Sequence, residues 1–211
     1  SQLGQIFQQT KQWDAAITEY SQALSLKTND SYVLEKLGEV LVGKGELARA
    51  QDMFQEAMAH QFHPQVETMV ALLKVLHQLN KIRDMKPLIE EIMRLSPNHP
   101  EALFRLTFCL AAENNPDGAL EALKRFTTLY PERGEGWMEL GRLYQSRDMS
   151  DEALAAFMKA APNAPDQAGV WNTIGVLLSN KKDFEGALKA LKKAVAFDYS
   201  DTQIQTNFKA V

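Results

Sequence analysis

The chain has 211 residues, 45% of them hydrophobic and 24% charged, the balance of a folded globular protein rather than a disordered one. A net charge of -4 argues against attachment to nucleic acid by phosphate neutralisation, and against a membrane-surface protein held by basic clusters. The single cysteine, Cys109, rules out an internal disulfide and a multi-cysteine zinc site, and no apolar run reaches the ~18–20 residues that span a bilayer.

Taken in chain order, the predicted elements repeat. Leu3-Gly4 is followed by Ala16, Tyr20, Ala23 and a turn at Thr28. The second unit has Leu37-Gly38, Ala50, Phe54, Ala57 and Phe62 in the same slots, with one residue inserted near His63 and Pro64. The third has Leu73, Met85, Ile89, Ile92 and Pro97; the fourth has Thr107, Ala119, Leu123, Phe126 and Pro131. The fifth reads Leu140-Gly141, Ala153, Phe157, Ala160 and Pro165, and the sixth Ile174-Gly175, Ala187, Leu191, Ala194 and Tyr199. Positions 16, 50, 85, 119, 153 and 187 lie 34, 35, 34, 34 and 34 residues apart. A period in that range signals a repeat array, in which each unit buries its apolar face only by stacking on the next.

Each unit carries two apolar stripes at helical spacing. Trp137, Leu140, Gly141 and Tyr144 fall at i, i+3, i+4 and i+7, and Ala153, Leu154, Phe157 and Ala160 repeat the pattern after a polar break. Ser150 is expected to cap the second of these helices, with Asp151 and Glu152 in its first turn. Asn115 is the expected cap before Pro116, and Pro97, Pro131 and Pro165 are expected to stop second helices. The glycine slot is expected to face the alanine slot of the partner helix. No strand is expected, because no period-two alternation is sustained. Pro87 predicts a late start, near Asp84, for the second helix of the third unit. The large residues in the small slots of the third and fourth units predict either plain degeneracy or a widened joint.

Trp137, Leu140, Gly141, Tyr144, Ala153, Phe157, Ala160 and Pro165 resemble a complete tetratricopeptide repeat signature, and Trp171 to Tyr199 nearly repeat it. The resemblance covers essentially the whole chain. It implies an all-α fold, an α-solenoid (right-handed superhelix) of stacked antiparallel helix pairs. One domain over 1–211 is expected, with units near 1–30, 31–65, 66–99, 100–133, 134–167 and 168–201. Residues 202–211 would be a C-terminal cap, or the start of another unit with Phe208 in an apolar slot. Ser1 falls inside the first predicted helix, so a preceding unit or cap is expected to be missing.

No catalytic constellation stands out, and the chain reads as a non-enzyme without cofactor or metal. His60 and His63 lack a carboxylate at ligand spacing. Cys109, among Phe108, Leu110 and Ala111, reads as a buried hydrophobe. Gly43-Lys44-Gly45 reads as an interhelical turn rather than a phosphate cradle, and Asn29-Asp30-Ser31 as a turn rather than a glycosylation site. Glu67, Glu101 and Glu135 recur at the second position of first helices, where the helix dipole favours them.

The resemblance implies that first helices line an inner groove. Its lining changes from polar (Gln5, Gln8, Gln9, Glu35, Glu39, Val42) to apolar and back to polar (Gln145, Asn172, Val176, Ser179). The expected partner-binding residues are Val70, Lys74, His77, Phe104, Phe108, Met138 and Arg142, an apolar strip with a basic rim. The two-carboxylate clamp of chaperone-tail binders in this family is missing, since Glu35, Glu39, Val70 and Phe104 hold its positions. So is the asparagine ladder of the nucleotide-sugar transferase relatives, replaced by Lys36, Ala71, Arg105, Glu139 and Thr173. The expected function is a scaffold or adaptor that binds a peptide or helix of a partner protein, without nucleic acid or membrane insertion. Alternatives are a self-associating scaffold (a homo-oligomer) and the regulatory arm of a larger protein. One buried thiol fits either the cytoplasm or the periplasm.

Overall fold

The computed structural model describes residues 1–61 and 65–211. Phe62, His63 and Pro64, which hold the second turn slot, the insertion and one histidine of the weighed metal pair, lie outside the described residues. Among the described residues there are thirteen α-helices and no strand, an all-α solenoid of helical repeats. No helix among them is long and apolar enough to cross a membrane. The chain divides into two compact units, Ser1–Asn114 and Asn115–Val211. The first holds α1 (Gln2–Gln9), α2 (Trp13–Leu26), α3 (Ser31–Lys44), α4 (Leu47–Ala59), α5 (Val66–Gln78), α6 (Ile82–Leu95) and α7 (Pro100–Ala112). The second holds α8 (Pro116–Leu129), α9 (Gly134–Gln145), α10 (Ser150–Ala160), α11 (Gln167–Asn180), α12 (Phe184–Phe197) and α13 (Thr202–Ala210).

A left-handed residue turns the chain within every hairpin. Lys11, Gly45, Asn80, Asn114, Asp148 and Lys182 have φ between 55° and 87°. The amide that follows bonds back across the helix end: Gln12 to the Phe7 carbonyl at 2.8 Å, Glu46 to Leu41 at 2.9 Å, Lys81 to Leu76 at 2.8 Å, Met149 to Tyr144 at 3.0 Å and Asp183 to Leu178 at 3.0 Å. These bonds satisfy carbonyls that the helix end would otherwise strand. Gly45 suits this conformation without strain, and Asn and Asp tolerate it. Gly43 and Lys44, read as part of the turn, belong instead to the last turn of α3; only Gly45 leaves the helix.

The turn also corrects two predicted helix starts. Helix α6 begins at Ile82, two residues before the expected Asp84, and keeps Pro87 inside it. The Asn80 turn sets the start as in the other hairpins, and Pro87 removes only its own amide donor from the ladder. Helix α10 starts at Ser150 itself, with Met149 as N-cap and no side-chain cap bond. Elsewhere the caps are as read: Asn115 accepts from the Gly118 amide ahead of Pro116. Pro97 and Pro131 stand directly after the C-cap residues of α6 and α8. Helix α10, however, ends at Ala160, ahead of Pro162 rather than at Pro165.

The glycine slot faces the bulky slot of the partner helix, not its alanine slot. A Cβ on Gly4, Gly38 or Gly141 would lie 2.9 Å from the ring of Tyr20, Phe54 or Phe157, and one on Gly175 would lie 2.5 Å from Leu191 Cγ. The flat ring therefore rests on bare helix backbone. Ala16, Ala50, Ala153 and Ala187 are fully buried beside these contacts. Each buried large apolar side chain contributes about 1.5–3 kcal/mol relative to exposure.

The third repeat replaces this arrangement by filling every slot with a large side chain. Leu73, Met85, Ile89 and Ile92 are all buried. The backbones of α5 and α6 run close over less of their length than those of α3 and α4, as larger residues between them require. In the fourth repeat Phe126 is also buried, and Gly136 of α9 makes the room: a Cβ there would overlap the ring. At the end of the second unit Asp201 caps α13 by accepting from the Gln203 and Ile204 amides. Ile204, rather than Phe208, is the buried anchor of that helix.

An outer ladder ties neighbouring hairpins together. An acid or amide in the first two turns of a second helix meets a base at or shortly after the end of the next first helix: Asp14 with Lys44, Gln51 with Lys81, Asp117 with Arg147 and Asp151 with Lys181. Exposed pairs of this kind contribute about 0–1 kcal/mol each, so they set register more than stability. Packing makes a sharper expectation. Gly136→Ala should lower unfolding stability by about 1–3 kcal/mol through overpacking against Phe126. Urea titration followed by circular dichroism measures it; an unchanged midpoint would refute the packing.

Candidate functional site

The residues expected to bind a partner lie on first helices, five in the first compact unit and two in the second. In the first unit, α3 and α5 open a cleft of about 220 Å³ lined by Glu39, Val42, Phe54, Ala71, Lys74, Val75 and Gln78. Four of its seven residues are apolar. The ring that rests on Gly38 with one side thus also forms part of the cleft wall. Glu39 is held by Lys36 Nζ at 2.6 Å and by Gln8 Nε2 at 2.9 Å. Lys74 is exposed and, among the described residues, makes no ion pair.

Phe104 and Phe108 do not stand as two open rings. Phe104 is only 7% exposed. Its ring meets Phe108 edge-on with centroids 5.4 Å apart, and the Arg105 guanidinium lies 5.4 Å and 5.8 Å from the two centroids. Arg105 is itself held by Glu101 at 2.8 Å. Arg105, at i+1, folds back over the i, i+4 aromatic pair. Val70 is half-buried against the core of its unit.

His77 completes this cluster. Its ring is tilted against Phe108 with centroids 4.6 Å apart, and its buried Nδ1 has no hydrogen-bond partner among the described residues. Burial holds its imidazole below the ordinary value, Arg105 pushes the same way, and Glu101 opposes both. The unfolded chain therefore binds the proton more readily than the folded one. The neutral ring's contribution to stability is present above the usual histidine value, about 6.5, and is lost as pH falls through that value toward the depressed one.

In the second unit Met138 and Arg142 of α9 line a cleft of about 220 Å³ with Gln145, Phe157, Asp166, Gly169, Val170, Asn172 and Thr173. Met138 is 9% exposed. Arg142 is exposed but pairs with Glu139 at 2.8 Å. Glu139 is partly buried, which raises its carboxyl above the usual value against the pull of Arg142. Asn172 accepts from the Asn207 amide at 2.8 Å, so α13 fixes one wall. The sequence reading missed Phe54, Phe157, Asp166 and Gly169. The available signal for the two rings was the sixteen-residue offset from each glycine to the bulky slot, although spacing alone does not show that the ring reaches the first-helix face.

Cys109 is buried, its Sγ lies 3.6 Å from the Ile82 carbonyl, and burial pushes its thiol up. No group of three or more potential metal ligands occurs among the described residues. A histidine variant supplies the test of this cluster. Between pH 7 and 5 the melting temperature of the wild type should fall more steeply than that of His77→Gln; parallel profiles would show that His77 carries no such linkage.

Comparison with known proteins puts these helices in context. Family models for Tetratricopeptide repeat match residues 110–168 in one case and residues 1–30 and 168–201 in another, together more than half of the chain. No curated protein sequence matches the chain. Among solved structures, PilF of Pseudomonas aeruginosa is similar with a TM-score of 0.79 at 16% identity, covering 99% of this chain and 94% of that one. YrrB, a tetratricopeptide repeat protein with an unusual peptide-binding site, gives 0.62 at 21% identity over 90% and 97%. A MamA fragment from Desulfovibrio magneticus RS-1 gives 0.67 at 18% identity over 82% and 98%. At these identities the likeness is one of fold.

Proposed function

Because the chain belongs to the tetratricopeptide repeat family, whose members generally mediate protein–protein interactions, we propose that it is a non-catalytic adaptor. It holds a peptide or helix of a partner protein against its first helices. The observation that carries this reading is the pair of clefts, one in each compact unit, both opening between consecutive first helices. Each combines apolar walls with a few polar side chains, the make-up of a recognition surface. The peptide-binding site named for YrrB, a protein of the same fold, supports the peptide form of the reading. Nothing in this mechanism asks for a reacting group: Cys109 is buried with its thiol pushed up, away from nucleophilic use.

The test is site-specific photocrosslinking in cells that express the protein. A photoreactive residue replaces Gln78 or Gln145, both exposed on first helices, or Lys192, exposed on α12. Crosslinks to the same partner from the first two positions and none from Lys192 are expected. Crosslinks from Lys192 alone would contradict the assignment of the binding face.

A further inference from the structure

We propose that the cleft between α3 and α5 is a specificity pocket for one aliphatic side chain of the partner, with an Asp or Glu beside it that pairs with Lys74. This deepens the adaptor reading and rests on it. The volume, about 220 Å³, is below the roughly 300–1,000 Å³ of sites that enclose a drug-sized ligand. The space suits a side chain rather than a small molecule. Val42, Phe54, Ala71 and Val75 give it apolar walls without a ring exposed for stacking, since Phe54 itself is buried. An aliphatic group gains from such walls, and a charged one loses its hydration.

The charge argument names the neighbour. Lys27, Lys36, Lys44 and Lys86 of the same compact unit each pair with an acid of their own chain. Lys74 stands on the cleft rim and has no such partner among the described residues. The other rim charge, Glu39, is already neutralised by Lys36 and receives a hydrogen bond from Gln8. The rim thus presents one uncompensated cation, and a carboxylate from outside completes it. A basic partner residue would meet Lys74 with no available acid to offset the repulsion.

A random-peptide phage library selected on the wild-type protein provides the probe. The enriched consensus is synthesised, labelled and titrated by fluorescence anisotropy. Peptides that pair an aliphatic residue with Asp or Glu are expected. Ala71→Leu, which fills the cleft, should weaken their binding about tenfold or more, equivalent to ~1.4 kcal/mol. Lys74→Glu should weaken it similarly and regain binding when the peptide acid is changed to Lys. Circular dichroism confirms that each variant is folded, and Lys192→Ala, exposed on α12 and outside the cleft, should bind like wild type. Enriched peptides that ignore both Ala71→Leu and Lys74→Glu would overturn this pocket while leaving the adaptor reading standing. A library that yields no enriched peptide would overturn both.

Discussion

The structure depends on one close approach, repeated. In four of the six hairpins a first helix exposes bare backbone at a glycine, and the large side chain sixteen residues later lies on it. Without a Cβ the two helices come together closely enough for the neighbouring alanines to be buried as well. A single hairpin packed in this way still leaves an apolar side uncovered, so stability comes from stacking. The core accordingly runs as one continuous cluster through the first compact unit, from Ala16 to Cys109. The large side chain has a second role. Phe54 and Phe157 reach through to the first-helix face and wall the two clefts. The contact that closes the hairpin is also the contact that shapes the surface.

The period made the fold legible, because each slot is set by steric demand that composition alone reveals. Glycine and alanine recur where space is short, and the hairpin turns keep the same interval. What stayed hidden was the partner of each slot. Spacing shows that Gly141 and Phe157 share a period but not that they touch; that follows from the tilt between two helices. The same limit explains Ser150. Its side-chain chemistry suits a cap, yet the left-handed Asp148 places Met149 at the cap position. Pro87 misled for a related reason, since an exposed proline in the second turn can leave the preceding turn intact when the hairpin turn fixes its start.

The site was legible in part. Lys74, Met138 and Arg142 lie on first-helix faces and line clefts, as their register required. Phe104 and Phe108 share a face at i, i+4 as their spacing implies, but register carries no information about the arginine between them. Arg105, anchored by Glu101, lies over the rings and joins them in a packed aromatic and cationic cluster. The uncompensated charge at Lys74 is invisible in the sequence for the opposite reason: the chain has acids in plenty, and only the fold shows which bases they reach.

The glycine-to-ring contact is the claim on which the rest stands, and amide hydrogen exchange resolves it hairpin by hairpin. In Gly141→Ala, loss of protection should be greatest in α9 and α10, smaller in α8 and α11, and least in α13. Uniform loss across both compact units, or protection unchanged from wild type, would contradict an architecture held by local ring-on-backbone packing and nearest-neighbour stacking.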